Sequence, residues 1–350
     1  MSSLTLTVHD PVTLSFGERL EIARHDAECV VFAAPEDPPP VPEAGAHELG
    51  HAGEDEGKRV VLARTDGRLV GRGYLGYALS QNTDKCYLGV TVHPAFRRRG
   101  VGRALAVKTG QLALELGRTT YEAATSSRVP QGELFAAGLG AKAALPMVIS
   151  ELRMDHLDQA QLRAWVRRPD EDAYTLHRFT RIPDHELHRV AAIMEVMNTA
   201  PRGELEFEDW KVTPALVASG QDMMEASGEK RLLYAAEHRP SRELVGYTEV
   251  FWHPDRAALM FQGATGVRPD HRGEGLGKWL KAAVLLDLPE HNSAGTRMRT
   301  GNAASNAAML GINRALGFAP VFGRTEWQGQ TTEIIEKVGG ARHAEVNSVP

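Results

Sequence analysis

At 350 residues, 42% of them hydrophobic and 24% charged, the chain is long enough for two ordinary domains and balanced enough for a buried core in each half. A formal net charge of -5 argues against a nucleic-acid partner, and Cys29 and Cys86 make neither a CxxC pair nor a disulfide framework, which points to a reducing cytoplasm. No apolar run approaches the ~18 residues of a membrane span, and the start of the chain lacks a basic segment followed by an apolar one, so neither membrane insertion nor a signal peptide is expected.

The first distinctive stretch is the Pro-rich run 35–42 with the Gly- and Glu-rich sequence to 57, which reads as an exposed loop. Inside it, His47-Glu48-Leu49-Gly50-His51 matches the H-E-x-x-H pattern of zinc peptidases, where a helix sets two imidazoles on one face. The surrounding Pro and Gly disfavour such a helix, and the loop reading is preferred to a metal site. Strands are predicted at 59–63 and 69–78 around the Asp66-Gly67 turn, and at 85–92. A helix over 101–116, a strand over 119–124, a short helix over 133–137 and a strand over 147–153 complete the first half. The second half reads as helices at 185–197 and 214–227, strands at 231–237, 243–253 and 257–267, a helix over 276–286, a strand over 296–300 and a helix over 304–316. The expected organisation is a domain at 1–155, a helical connector at 156–172, a domain at 173–335 and a flexible tail at 336–350.

One segment occurs twice. Val92-His93-Pro94 leads to Arg97-Arg98-Arg99-Gly100-Val101-Gly102-Arg103, and Val267-Arg268-Pro269 leads to Arg272-Gly273-Glu274-Gly275-Leu276-Gly277-Lys278. The two arginines stand 272 − 97 = 175 positions apart, and the paired glycines share that offset, which is half the chain. Two loops in register at half the length indicate a duplicated domain. A strand feeding a Gly-rich turn and then a helix leaves backbone N–H groups pointing outward at the helix N-terminus, where the dipole adds positive potential. Glycines admit a phosphate close to the backbone, and the arginines, with Lys278 and Lys281 in the second copy, add charge. There is no Gly-Lys-Ser/Thr of a Walker A loop.

The Val-x-Pro segment followed by Arg-x-x-Gly-x-Gly resembles the acetyl-CoA loop of the GNAT (GCN5-related N-acetyltransferase) superfamily, and the arrangement is similar to the two-lobed mycothiol-synthase-like acetyltransferases of actinobacteria. The resemblance covers both halves, most densely 86–116 and 257–318. It implies two α/β (α+β) domains, each a mixed, mostly antiparallel sheet flanked by helices, with a splayed strand pair that admits acetyl-CoA. It further implies pyrophosphate binding at Arg98 to Gly102 and at Gly273 to Gly277, with Val92 and Val267 beside the thioester. Asn302, Asn306 and Ile312-Asn313-Arg314-Ala315-Leu316-Gly317-Phe318 are similar to the closing segment of the family, whereas Leu134-Phe135-Ala136-Ala137-Gly138-Leu139 is a weak echo. The second half is therefore expected to be the catalytic lobe.

The implied reaction is transfer of an acetyl group from acetyl-CoA to a primary amine of a small molecule. It needs a base for the ammonium and a proton for the departing thiolate. Glu249, in the strand-like Gly246-Tyr247-Thr248-Glu249-Val250-Phe251, is the candidate base, with Tyr247 and Asn306 as further polar candidates. The Tyr that many family members place four residues before the Gly of Gly-Phe is replaced by Asn313, and by Leu134 in the first half, so the acid is unassigned and a non-catalytic acyl-CoA-binding module stays open as an alternative. The lobes are expected to pack as a monomeric pseudo-dimer or to form a homodimer.

Overall fold

The structure, a computed structural model, describes residues 4–339. In chain order it runs β1 (Leu4–His9), α1 (Phe16–Ala33), α2 (Pro42–Gly50), β2 (Glu56–Thr65), β3 (Arg68–Ala78), β4 (Lys85–Val92), α3 (Val101–Glu115), β5 (Thr120–Ser126), α4 (Gln131–Gly138) and β6 (Lys142–Arg153). There follow α5 (Gln159–Val166), β7 (Tyr174–Phe179), α6 (Leu187–Met194), α7 (Pro214–Ser227), β8 (Lys230–His238), β9 (Glu243–Trp252) and β10 (Leu259–Val267). The chain closes with α8 (Leu276–His291), β11 (Arg297–Ala303), α9 (Ala307–Ala315), β12 (Ala319–Gln330) and α10 (Thr331–Ile334). No described helix is long and apolar enough to cross a membrane.

These elements form two compact units, each discontinuous in sequence. Among the described residues the first unit holds 4–147, 202–208 and 323–339, and the second 148–201 and 209–322. The first sheet has the order β1-β2-β3-β4-β5-β12, and the second β6-β11-β10-β9-β8-β7. β4/β5 is parallel, as is β10/β11, while β1 to β4 and β7 to β10 pair antiparallel. The chain changes unit in the middle of β6 and again in the middle of β12. Long strands of 12 residues make this possible, since only part of each is needed in one ladder. The sequence reading sets boundaries at 155 and 173, whereas β12 returns to pair with β5 from Arg324↔Ser126 to Gln330↔Thr120. Beyond position 339, the expected tail 336–350 lies outside the described residues; 335–339 forms one helical turn.

The expected loop at 35–57 is corrected by α2. Pro42 opens it, with φ already set for a first helical turn, and Ala46 is fully buried. The helix ends at Gly50, and His51 is extended at φ -73°, ψ 128°, so the two imidazoles of the H-E-x-x-H run do not share a helical face. His47 instead packs its ring 5.1 Å from that of Phe16.

In the first unit, Val60 and Leu62 pack with Ile22 under α1, while Val61 and Ala63 pack with Leu105 under α3. Alternation along β2 therefore puts α1 and α3 on opposite faces of the sheet. In the second unit, α6 and α7 cover the face of Leu233, Ala235 and Tyr247, and α8 covers the face of Val250 and Met260.

Candidate functional site

The repeated turns fold alike down to single hydrogen bonds. β4 pairs with β5 only from Lys85↔Thr120 to Tyr87↔Glu122, and β10 with β11 only from Leu259↔Arg297 to Phe261↔Arg299. Past those pairs the strands splay. Each strand then enters a 3-10 turn, Pro94–Phe96 or Pro269–His271. Arg97 Nε donates back to the Val92 carbonyl at 3.2 Å, and Arg272 Nε to the Val267 carbonyl at 3.0 Å. Left-handed residues follow: Arg98 (φ 62°) and Gly100 (φ 81°) in one turn, Gly273 (φ 90°) and Gly275 (φ 75°) in the other. Gly100 and Gly275 are the N-caps of α3 and α8, and neither carries a side-chain cap, so the first-turn amides face outward. Left-handed glycines alternating with ordinary backbone turn several N–H groups to one side, a concave anion site reinforced by the helix dipole.

In the first lobe this turn borders a cleft of about 1150 Å³. Of the residues singled out by sequence, Val92, Arg97, Arg98, Gly100, Gly102 and Arg103 line it. A Cβ at Gly102 would lie 3.5 Å from Val92 and 3.6 Å from Phe135, so the missing side chain keeps this passage open. Arg103 Nε donates to the Val338 carbonyl at 2.8 Å, which ties the last described turn to α3. Arg99 lies instead over the Phe96 ring at 5.3 Å, and Val101 is buried in the core. The cleft is lined from α1 as well as from α3 and α4, so it passes through the splay from one face of the sheet to the other.

The second lobe has the same turn in tighter surroundings. Arg272 also donates from Nη2 to the Thr199 hydroxyl at 2.6 Å, and the Glu274 carbonyl accepts from Arg168 at 3.1 Å. Leu276 is buried, a Cβ at Gly277 would lie 3.4 Å from Ile312, and the Lys278 ammonium stands over the Trp165 ring at 5.2 Å. Gly266 accommodates Val196, whose Cγ1 would be 2.4 Å from a Cβ there.

The sheets differ at the splayed strand. β4 runs against β3 without interruption from Gly71↔Val92 to Gly76↔Tyr87. In β10 a bulge falls between Gln262, paired with Val250, and Thr265, paired with Thr248, so one extra residue is accommodated. The backbone of Ala264, inside that bulge, faces the Glu249 carboxylate. Glu249 is half-buried on the α6/α7 face of β9. Desolvation pushes its carboxyl up to about 7, against smaller opposing effects of the Arg231 guanidinium and the Ala264 amide. Tyr247, on the same face, is packed among Val190, Val196 and Leu233, and burial raises its phenol. Asn306 caps α9 by accepting from the Met309 amide at 3.2 Å. Asn313 is 1% exposed, donates to Asn302 Oδ1 at 2.7 Å, and keeps its own Oδ1 buried without a partner.

The closing turns correct one register. Gly317 (φ 95°) follows Phe318 N–H to Asn313 O bonding at 3.0 Å, and Gly140 (φ 96°) accompanies Ala141 N–H to Ala136 O at 3.2 Å. The first-lobe counterpart of Asn313 is thus Ala136, while Leu134 is 77% exposed. The ion pair of Asp26 and Arg72 inside the first-lobe cleft escapes sequence reading, and Lys281, expected to add charge beside the second turn, is instead 1% exposed in α8 with its ammonium over the Phe318 ring at 5.7 Å. The i, i+3, i+4 spacing of Ile22, Asp26, Cys29 and Ala33 was the available signal for the ion pair.

Comparison with known proteins agrees with this geometry. The Acetyltransferase (GNAT) family model matches residues 22–139, within the first lobe. A mycothiol acetyltransferase of Salinispora tropica is 27% identical over 276 residues, 74% of this chain and 78% of that protein. Among solved structures, a tandem GNAT protein from the clavulanic acid biosynthesis pathway superposes with a TM-score of 0.76 at 26% identity, covering 94% of this chain and 99% of that one. A GCN5-related N-acetyltransferase from Sphaerobacter thermophilus, 16% identical with a TM-score of 0.58 over 93% of this chain and 96% of that one, shares the fold.

Proposed function

The chain belongs to the GNAT superfamily of acyltransferases in its tandem form, and from that premise we propose that it transfers an acetyl group from acetyl-CoA to a primary amine of a small molecule. The observation that carries the reading is the pair of uncapped helix starts, each with left-handed glycine beside a splayed strand pair. The residues fit the donor. Outward amides at Gly100 to Gly102 and at Gly275 to Gly277 would hold its diphosphate, and the inner edges of β4 and β10 would flank its acyl arm. When bound, acetyl-CoA supplies an acyl group activated as a thioester.

We assign the transfer to the second lobe because Glu249 and the bulge stand together there. A carboxyl at about 7 is poised to take a proton from an ammonium near neutrality. The bulge sets backbone N–H groups outside the ladder, where they can stabilise oxygen charge as it develops. The thiolate proton has no tyrosine source at Asn313 or Ala136, and the second proton of the attacking amine serves that need. The test is thiol release from acetyl-CoA across a library of amines that bear no carboxylate, with Gly275→Glu and Gly100→Glu as variants. Gly277→Glu and Gly102→Glu, at ordinary helical positions, serve as second variants against misfolding. Loss of turnover with the second-lobe substitutions and retention of much of it with the first-lobe ones is expected. The opposite pattern reverses the lobe assignment.

A further inference from the structure

We propose that the first lobe carries an acceptor site of its own, built on Asp26 and Arg72, for a primary amine that also bears a carboxylate. The proposal rests on the reading that this lobe binds acyl-CoA. The cleft opens on both faces of its sheet. The α3/α4 face carries the anion-binding turn. On the opposite face α1 presents Asp26, Cys29 and Ala33 along one side, and β3 presents Arg72, in register with Thr91 of the splayed strand.

Asp26 Oδ2 and Arg72 Nη2 are 2.8 Å apart, with side chains 26% and 17% exposed. They stand at an end of the cleft walled by Val30, Val90 and Val92, where the Arg97 guanidinium also lies, over the Phe32 ring of α1 at 5.1 Å. His25, 5% exposed, braces the other oxygen: its Nδ1 lies 3.1 Å from Asp26 Oδ1, and its Nε2 is buried without a partner. An acceptor with both an ammonium and a carboxylate replaces the single ion pair with two, ammonium to Asp26 and carboxylate to Arg72, and a guanidinium receives a carboxylate through two parallel bonds. A plain amine finds Asp26 already occupied by Arg72. Cys29 is not a competing nucleophile, because burial pushes its thiol up to about 12.

The acceptor ammonium gives one proton to the Asp26 carboxylate. Its nitrogen then forms a C–N bond at the thioester carbon as the C–S bond breaks. The surplus proton on nitrogen leaves with the sulfur as thiol, and Asp26 returns its proton to solvent.

The test uses the full chain carrying Gly277→Glu, so that the second-lobe turn is blocked. Acetyl-CoA is offered with free amino acids, each matched to the amine lacking its carboxylate. Calorimetry follows amino-acid binding in the presence of CoA, and thiol release follows transfer. The expected result is a preference for the amino acids of about a hundredfold in kcat/KM. Arg72→Gln should abolish that preference through KM and weaken amino-acid binding about tenfold or more, while plain amines, no longer competing with Arg72 for Asp26, should gain turnover. Asp26→Asn should lower kcat about a hundredfold for both sets with CoA affinity unchanged. Should Arg72→Gln not fold, Arg72→Lys keeps the charge and reports the same ratio. A preference unaltered by either Arg72 substitution, full activity in Asp26→Asn, or CoA binding with no amino-acid transfer overturns the proposal. Absence of CoA binding by the folded protein marks instead the failure of the acyl-CoA reading for this lobe, and removes the proposal with it.

Discussion

The two lobes share a turn and differ in almost everything that faces it. Arg97 and Arg272 make the same backward bond, and Gly100 and Gly275 the same left-handed cap. Yet β4 is regular where β10 is bulged, Thr91 stands where Gly266 makes room for Val196, and Ala106 stands where Lys281 is buried. The first lobe has an open cleft with a paired Asp26 and Arg72, and the second a carboxyl raised by desolvation. Duplication preserved the backbone device proposed to hold a diphosphate and released the surroundings to diverge, because the device depends on φ angles and amides while acceptor chemistry depends on side chains.

The largest expected effect concerns Glu249. Glu249→Gln should lower kcat in second-lobe transfer about a hundredfold or more. Because burial raises this carboxyl to about 7, its proton-accepting form accumulates above that pH. The wild-type kcat/KM should therefore rise as pH increases through about 7, and the variant should lose that limb. A pH profile unchanged by the substitution would erase this distinction between the lobes.

Lys281 sharpens the comparison through stability. Desolvation lowers its ammonium from 10.5 to about 7. Between those values the unfolded chain holds a proton that the folded chain lacks, so stability falls as pH drops from about 10.5 toward 7 and is insensitive to this group below that window. Lys281→Met, measured by urea unfolding at pH 7, should stabilise by about 2–4 kcal/mol, with the gain shrinking toward pH 10.

Gly266 breaks the symmetry in the other direction. Gly266→Ala should destabilise by about 1–3 kcal/mol, since its Cβ meets the buried Val196, and Val196→Ala in the same chain should restore part of the loss. Asn306→Ala should cost only about 1 kcal/mol, the value of a helix N-cap, which thermal unfolding can resolve.

Legibility in the sequence followed the range of the interactions. The turns were readable because glycine, proline and arginine spacing acts within a dozen residues, and their recurrence at one offset exposed the duplication. The unit boundaries were not, because the return of β12 to β5 joins Gln330 to Thr120 and leaves no local mark. α2 was hidden by its Pro and Gly content. α1 was announced only by its Ser15/Glu18 capping box, and without α1 the approach of Asp26 to Arg72 could not be seen. Glu249 was placed by strand alternation, but the bulge amide that meets it depends on a register set by β9.

The most direct measurement is calorimetric titration of coenzyme A into the purified chain and its helix-start variants. Two gripping turns predict two equivalents for the unmodified protein, one for Gly102→Glu, one for Gly277→Glu and none for the double variant. Undiminished binding by the double variant, or no binding by the unmodified protein, would contradict the account.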